Sequence, residues 1–378
     1  MAICMRSLCR LNFSLTNNLF HKLNLANVGV RFLYTEKSLG VTDYESIRYV
    51  FRNQFMTIED TFRNKMNDVC NKEDGIVFTE DLKAMIHLAQ KNEQDLELVQ
   101  KMILKFSSSN SDMKFGIYVF GTIVMRMYYY LNEPVAALCA FRNPKLSGFF
   151  NQISSHQILM SLLFKHQMYE EIKEVYTQIR ENNAEMFFMQ SILVLVIAAC
   201  YKQNTPESYV FALDCWKDVA TKGGSVSCRS TTLLASLALN QNAAEVALEV
   251  LAKVHKQQFV DVRCLKVLAY MHLDKYVQMI PVFKSTLEQD GGTSRQTYFA
   301  DVIYAIEEKL KESDSREYEE ILYLIQALKK QERLTSHITL EENLLKPIIF
   351  EREKRGHTTG RNARNSKVHA RAGLRDYI

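Results

Sequence analysis

The sequence predicts an all-α chain folded as a right-handed α-solenoid of stacked helix-turn-helix repeats, and three observations carry that prediction. Helix breakers are scarce, with 13 Gly and 5 Pro in 378 residues. Leu, Ala, Met, Glu and Lys are abundant, and these favour helix. Large apolar residues recur near the ends of successive segments, at Phe141, Tyr176, Trp216, Leu251 and Phe283, about one helix pair apart. An α/β enzyme of this length would need more glycine for its strand-to-helix turns.

The chain divides by composition. Residues 1–33 hold Arg6, Arg10, Lys22 and Arg31 and no acid, and Leu8, Leu11, Leu15 and Leu19 would share one face of a helix. An amphipathic, basic, acid-free leader reads as a mitochondrial transit peptide, with Arg31-Phe32-Leu33 as its processing signal and a mature start between residues 32 and 40. Residues 34–110 follow as an N-terminal helical region, with one helix pair expected at Glu80–Gln90 and Asp95–Phe106 ahead of the serine-rich stretch 107–111.

The repeat array occupies 111–290. Its first clear unit has helices at Gln157–Phe164 and Tyr169–Ile179 around a turn at Gln167. The next runs Leu193–Tyr201, turns at Asn204-Thr205-Pro206, and continues to Val219 with Pro206 in the first turn, where proline is tolerated. A third has Thr232–Leu239 and Ala244–Val254 around Asn240-Gln241-Asn242, and a shorter fourth has Leu265–Met271 and Tyr276–Leu287. Such a pair cannot bury its apolar face alone, so neighbours must stack. Residues 291–350 read as a C-terminal cap, whose last helix, Tyr318–Leu334, carries the stripe Ile321, Leu324, Ile325 and Leu328. Residues 351–378 form a basic tail, eight Lys/Arg against three acids, too polar to fold alone.

The net charge of +4 hides this division. The body between leader and tail holds 35 basic and 40 acidic residues, so any nucleic acid must be held by a local basic stripe or by the tail. Signals for other chemistries are missing. The eight cysteines show no C-x-x-C and sit mostly in apolar runs, which reads as buried thiols rather than metal ligands. No phosphate loop, no G-x-S-x-G and no metal-spaced His/Glu cluster occurs, so neither enzyme chemistry nor a cofactor is expected. The apolar run Ile192–Ala199 is far short of the roughly 20 residues that span a bilayer.

A helix pair of about 35 residues whose second helix ends in a bulky apolar residue resembles the pentatricopeptide repeat, and its tetratricopeptide relative has nearly the same period. The stretches Cys200–Ser208 and Ala238–Asn242 are more specific, as are Phe120-Gly121, Met125-Arg126, Gly148-Phe149-Phe150, Ile158-Leu159-Met160 and Leu163-Phe164. They resemble mitochondrial proteins of the pentatricopeptide-repeat family over roughly residues 30–290. The resemblance implies a matrix protein that binds mitochondrial RNA and takes part in its maturation, as vertebrate relatives do for the cytochrome b transcript. It further implies a processing nuclease or ribosomal proteins as partners. Family repeats read a base through a polar residue early in the first helix. Here that position holds Gln157, Val194, Thr232 and Cys264, of which only Thr232 is a usual choice.

In such a solenoid the first helices line the concave face. The candidate RNA contacts are therefore Arg126, Lys165, Lys202, Arg229, Thr232, Arg263 and Lys266. The cations would meet phosphates and give salt-sensitive affinity without base information. A protein-binding scaffold, its groove filled by a partner peptide or a ribosomal surface, is the rival reading, and the acidic body favours it.

Overall fold

The computed structural model describes residues 33–109, 119–182, 190–288, 296–311 and 316–348, so the leader and the basic tail lie outside the described residues. The described residues through Ile348 form one compact unit.

Four helices precede the array: α1 (Val41–Phe55), α2 (Glu59–Asn71), α3 (Thr79–Leu88) and α4 (Glu93–Ser109). Six helix pairs follow. They are α5 (Phe120–Leu131) with α6 (Pro134–Phe141), α7 (Ile153–Lys165) with α8 (Tyr169–Asn182), and α9 (Gln190–Gln203) with α10 (Pro206–Thr221). Then come α11 (Cys228–Asn240) with α12 (Ala244–Ala252), α13 (Val260–His272) with α14 (Met279–Glu288), and α15 (Ala300–Lys311) with α16 (Arg316–Lys330). A short α17 (Leu340–Leu344) ends the described chain. The strands β1 (Tyr298–Phe299) and β2 (Leu334–Thr335) form a parallel two-stranded bridge.

Stacking follows the repeat. Each first helix packs on the next, α5 on α7, α7 on α9, α9 on α11, α11 on α13 and α13 on α15. The expected solenoid of helix pairs is therefore the architecture found. The middle of the row is its driest part. In α9 every residue from Ile192 to Cys200 is buried, which a helix apolar on all sides requires.

The turns inside the pairs share one device. Asn132, Gln167, Asn204, Asn242 and Asp274 each take a positive φ between 50° and 59°, so the chain reverses through a single left-handed residue. The expected turns at Gln167 and Asn204 lie on these residues, and the third lies one residue beyond Gln241. Side chains then join turn to turn. His166 Nε2 bonds Asn132 Oδ1 at 3.0 Å, and Gln241 Nε2 donates to Asn204 O and Oδ1 at 3.0 and 2.9 Å. Pro206 opens α10 as expected, behind a Thr205–Ser208 capping box.

Three differences from the sequence reading matter. Helices α1 and α2 fill a region read only as helical in general. Within the region read as a cap, the charged stretch around Glu307 belongs to a packed helix, α15, with Val302, Ile303, Ile306 and Leu310 buried. The helix read as last, α16, stops at Lys330 and the chain enters β2 ahead of a further helix, α17, because Glu332 turns left-handed at φ 53° and Arg333 is drawn inward to the Thr286 carbonyl at 2.8 Å.

Candidate nucleic-acid interface: the face of the first helices

Arg126, Lys165, Lys202, Arg229, Thr232, Arg263 and Lys266 all fall on first helices, as read from the sequence. Lys165 and Lys202 hold equivalent places, each two residues before a left-handed turn residue. The structure then shows what the sequence could not: this face already has an occupant. Residues 33–40 and 334–348 cross the row of first helices as a two-part strap.

The two parts meet at a parallel bridge between Tyr34 and Ile348, with the Ile348 N–H donating to the Leu33 carbonyl at 2.8 Å. From there the N-terminal part runs towards α5. The Tyr34 hydroxyl donates to Ser191 O of α9 at 3.2 Å, and Arg126 Nε of α5 donates to Leu39 O at 3.0 Å. Gly40 follows with φ 70°, a left-handed conformation that calls for glycine, and a Cβ there would meet only the mobile end of the Arg126 side chain.

The C-terminal part is anchored across the other half of the row. Leu340 N–H donates to Asp301 of α15 at 3.0 Å, and Glu341 pairs with Lys202 of α9 at 2.9 Å. Asn343 accepts from Arg229 of α11 through its carbonyl and donates through its side chain to Asp261 of α13. Beneath these polar contacts Leu33, Tyr34, Leu39, Leu340, Leu344 and Leu345 are buried. Fully burying such a side chain is worth about 1.5–3 kcal/mol as an upper estimate, so the strap is held by its apolar side and registered by its polar one. A cleft of about 390 Å³ remains under it, between Tyr201, Asn240, His272 and Glu341.

The candidate residues therefore divide. Arg126, Lys202 and Arg229 serve the strap. Thr232 is fully buried and its hydroxyl turns back to the Arg229 carbonyl at 3.1 Å, which leaves a base edge nothing to meet. Lys165 lies 5.1 Å from the centroid of the Tyr129 ring. Arg263 and Lys266 share a cleft at the junction of α13 and α14, with no strap residue among its described lining. Burial lowers the pKa of both.

Among the cysteines, Cys200, Cys215 and Cys264 are buried, Cys70 and Cys228 half-buried and Cys139 exposed. Burial pushes the Cys200 and Cys264 thiols up to about 12, so both are neutral packing groups at physiological pH. Among the described residues no helix is long and apolar enough to cross a membrane, and no cluster of His, Cys, Asp and Glu could hold a metal ion. The strap left one weak sequence signal, the capping box Thr339-x-x-Glu342 ahead of Leu344-Leu345, which marked a short helix with an apolar side.

The chain is similar to pentatricopeptide repeat-containing protein 2, mitochondrial, of several vertebrates. It is 26% identical to that of Mus musculus over 75% of this chain and 74% of the relative. The Xenopus laevis protein is 23% identical over 89% of this chain and 86% of its own length, and the Danio rerio protein 29% identical over 57% and 55%. No family model matches the chain, and no solved structure does. The resemblance read from short stretches of sequence thus extends along the whole array, and the proteins that share it are named as mitochondrial.

Proposed function

We propose that this chain is a mitochondrial RNA-binding helical-repeat protein that takes part in the maturation of mitochondrial transcripts, the cytochrome b message among them. The observation that carries the reading is the similarity to mitochondrial pentatricopeptide-repeat proteins along a row of stacked helix pairs of matching period. The acid-free basic leader fits import, and the matrix is the compartment to which such a leader delivers. In this reading the protein holds a transcript while an RNA-processing nuclease cuts it or ribosomal proteins receive it, and itself performs no chemistry.

The strap shapes how RNA would be held. Arg126, Lys202 and Arg229 contact the strap, and phosphate contact in this reading falls to Lys165, which would exchange its present contacts, to Arg263 and Lys266, and to the basic tail. Each cation that neutralises a phosphate of a single strand contributes about −0.7 to the slope of log affinity against log salt. Replacing Lys165 and Lys266 together by Gln should flatten that slope by about 1.4 in a protein of unchanged helix content.

One observation favours the scaffold reading. The first-helix face already recognises a short leucine-bearing acidic helix, Leu340–Leu344, as a protein groove does. Ultraviolet crosslinking in intact mitochondria followed by sequencing of the attached RNA decides between the two. Enrichment of mitochondrial messages supports the RNA reading. Recovery of protein partners with no RNA above background would reject it.

A further inference from the structure

The cleft at the junction of α13 and α14 has a volume of about 550 Å³ and is lined by Arg263, Lys266, Gln257, Ser285 and Gln296 among others, with no Asp or Glu among its described lining residues. Arg263 is only 5% exposed. Its Nη1 donates to Gln258 O at 2.6 Å and to Gln296 Oε1 at 2.7 Å, and its Nη2 donates to Thr297 O at 2.7 Å. Its Nε is buried without a hydrogen bond of ordinary geometry, and the neutral Tyr298 hydroxyl bears on the same guanidinium. Every one of those acceptors is neutral, and the nearby Tyr298 ring, 5.3 Å away, is neutral as well. A second cation, Lys266, stands half-buried in the same cleft.

A buried cation normally keeps a carboxylate, because neutral dipoles alone compensate poorly for lost hydration. Here the guanidinium has dipoles but no carboxylate paired with it among the described residues, and the like charge of Arg333 nearby raises the cost. Stacking does not demand this arrangement. Arg263 stands eleven residues before its left-handed turn residue, Asp274. The equivalent residues of the four preceding repeats are Gly121, His156, Leu193 and Thr231, all neutral or small. The repeat therefore tolerates an uncharged residue at this depth, and the arginine answers to something else. An oxyanion in the cleft would accept from the Lys266 ammonium and would supply the negative charge that the buried Arg263 guanidinium lacks.

We propose that the Arg263–Lys266 cleft is a phosphate-binding site that takes a phosphodiester group of bound RNA. The cleft has room for the attached nucleoside, with Ser285 and the amides of Gln257 and Gln296 around it. The RNA source rests on the function proposed above. The phosphate chemistry does not, since a free phosphate or nucleotide presents the same group.

The test uses the full chain and two probes, inorganic phosphate and a 5′-dephosphorylated oligouridylate. Titration calorimetry should show saturable phosphate binding that weakens at least tenfold in Lys266→Glu and stays unchanged in the exposed control Lys253→Glu. Should Lys266→Glu fail to fold, Arg263→Lys, which keeps the charge and loses the fork, replaces it. Oligouridylate should compete with phosphate and lose at least fivefold in affinity in the same variant. Phosphate binding that is absent, or equal in wild type and a folded Lys266→Glu, overturns the site. Phosphate lost with oligouridylate unaffected keeps the site, assigns it to a free phosphate or nucleotide, and removes this contact from the RNA reading. Absence of RNA crosslinks in mitochondria, with phosphate binding intact, sinks the proposed function and leaves the site standing.

Discussion

The two faces of the array are tied together by the same kinds of polar contact, used in opposite ways. Along the second helices, Arg142 pairs with Glu174, Arg180 with Asp214 and Lys284 with Glu320, joining residues 32, 34 and 36 apart, one repeat to the next. Across the first helices, Arg126 reaches Leu39, Arg229 reaches Asn343 and Lys202 reaches Glu341, over 87, 114 and 139 residues. The outer contacts repeat with the period and lie exposed. The inner ones have no period and rest on buried leucines. An ion pair on a solenoid thus says little by itself, and what lies beneath it decides whether it holds anything.

The sharpest way to break this comparison is to remove the apolar side of the strap. Leu344 is fully buried under α17. Leu344→Asp deletes its packing and places a carboxylate in an apolar site, and should cost about 3–5 kcal/mol in urea unfolding. Helix content in mild conditions should stay near that of wild type, since the row of first helices does not depend on α17 for its stacking. Amide exchange should quicken in residues 338–348 and around Leu33. Collapse of the whole array would make the strap part of the core rather than a cover laid on it.

A second test probes the buried side of a first helix by pH. His156 of α7 is 3% exposed, its Nδ1 has no partner, and burial lowers its pKa to about 4. The imidazole is neutral in the folded chain at pH 7. Below about 6.5 the unfolded chain takes up a proton that the folded chain refuses until about pH 4. The stability present above 6.5 is therefore lost as pH falls through this window, about 3 kcal/mol in all from this group. His156→Gln should flatten that segment of the stability curve, measured by urea midpoints at pH 7, 5.5 and 4.5. An equal slope in the two proteins would place the acid sensitivity elsewhere.

Local features were legible in the sequence and long-range ones were not. The Asn204-Thr205-Pro206 turn, the buried run Ile192–Ala199 and the bulky second-helix residues are properties of a few neighbouring residues, and period and propensity reach that far. Helix α1 was read only as part of a helical region, without bounds of its own, since Arg48 interrupts its stripe of Val41, Tyr44 and Phe51; the fold explains that arginine through its bond to the His87 carbonyl at 2.7 Å. The candidate cations were found on the right helices. Their engagement was hidden, because the partners of Arg229 and Lys202 lie more than a hundred residues away in a segment whose own pattern marks no more than a short helix. The Arg263–Lys266 cleft was half visible as two cations on one helix, while the lack of an acid beside them is a fact of packing.

The smallest expected effects compare one ion pair from each face. Lys202–Glu341 has its side chains 34% and 59% exposed, and Arg142–Glu174 39% and 60%. Exposure is therefore matched, and solvent screening should hold both couplings to about 1 kcal/mol or less. What differs is what each pair would otherwise lose. Arg142 and Glu174 sit on helices already stacked by the repeat, so pairing fixes nothing further, and their double-mutant cycle should give about 0.2 kcal/mol, vanishing at high salt. Glu341 precedes the buried Leu344 and Leu345 on a short segment that must be ordered to dock, so its coupling to Lys202 should be larger, about 0.5–1 kcal/mol. The cycles are read from urea unfolding of Lys202→Ala, Glu341→Ala, Arg142→Ala, Glu174→Ala and the two doubles. Equal couplings would mean that the strap is registered by its leucines and backbone bonds alone, with the inner ion pair as incidental as the outer one.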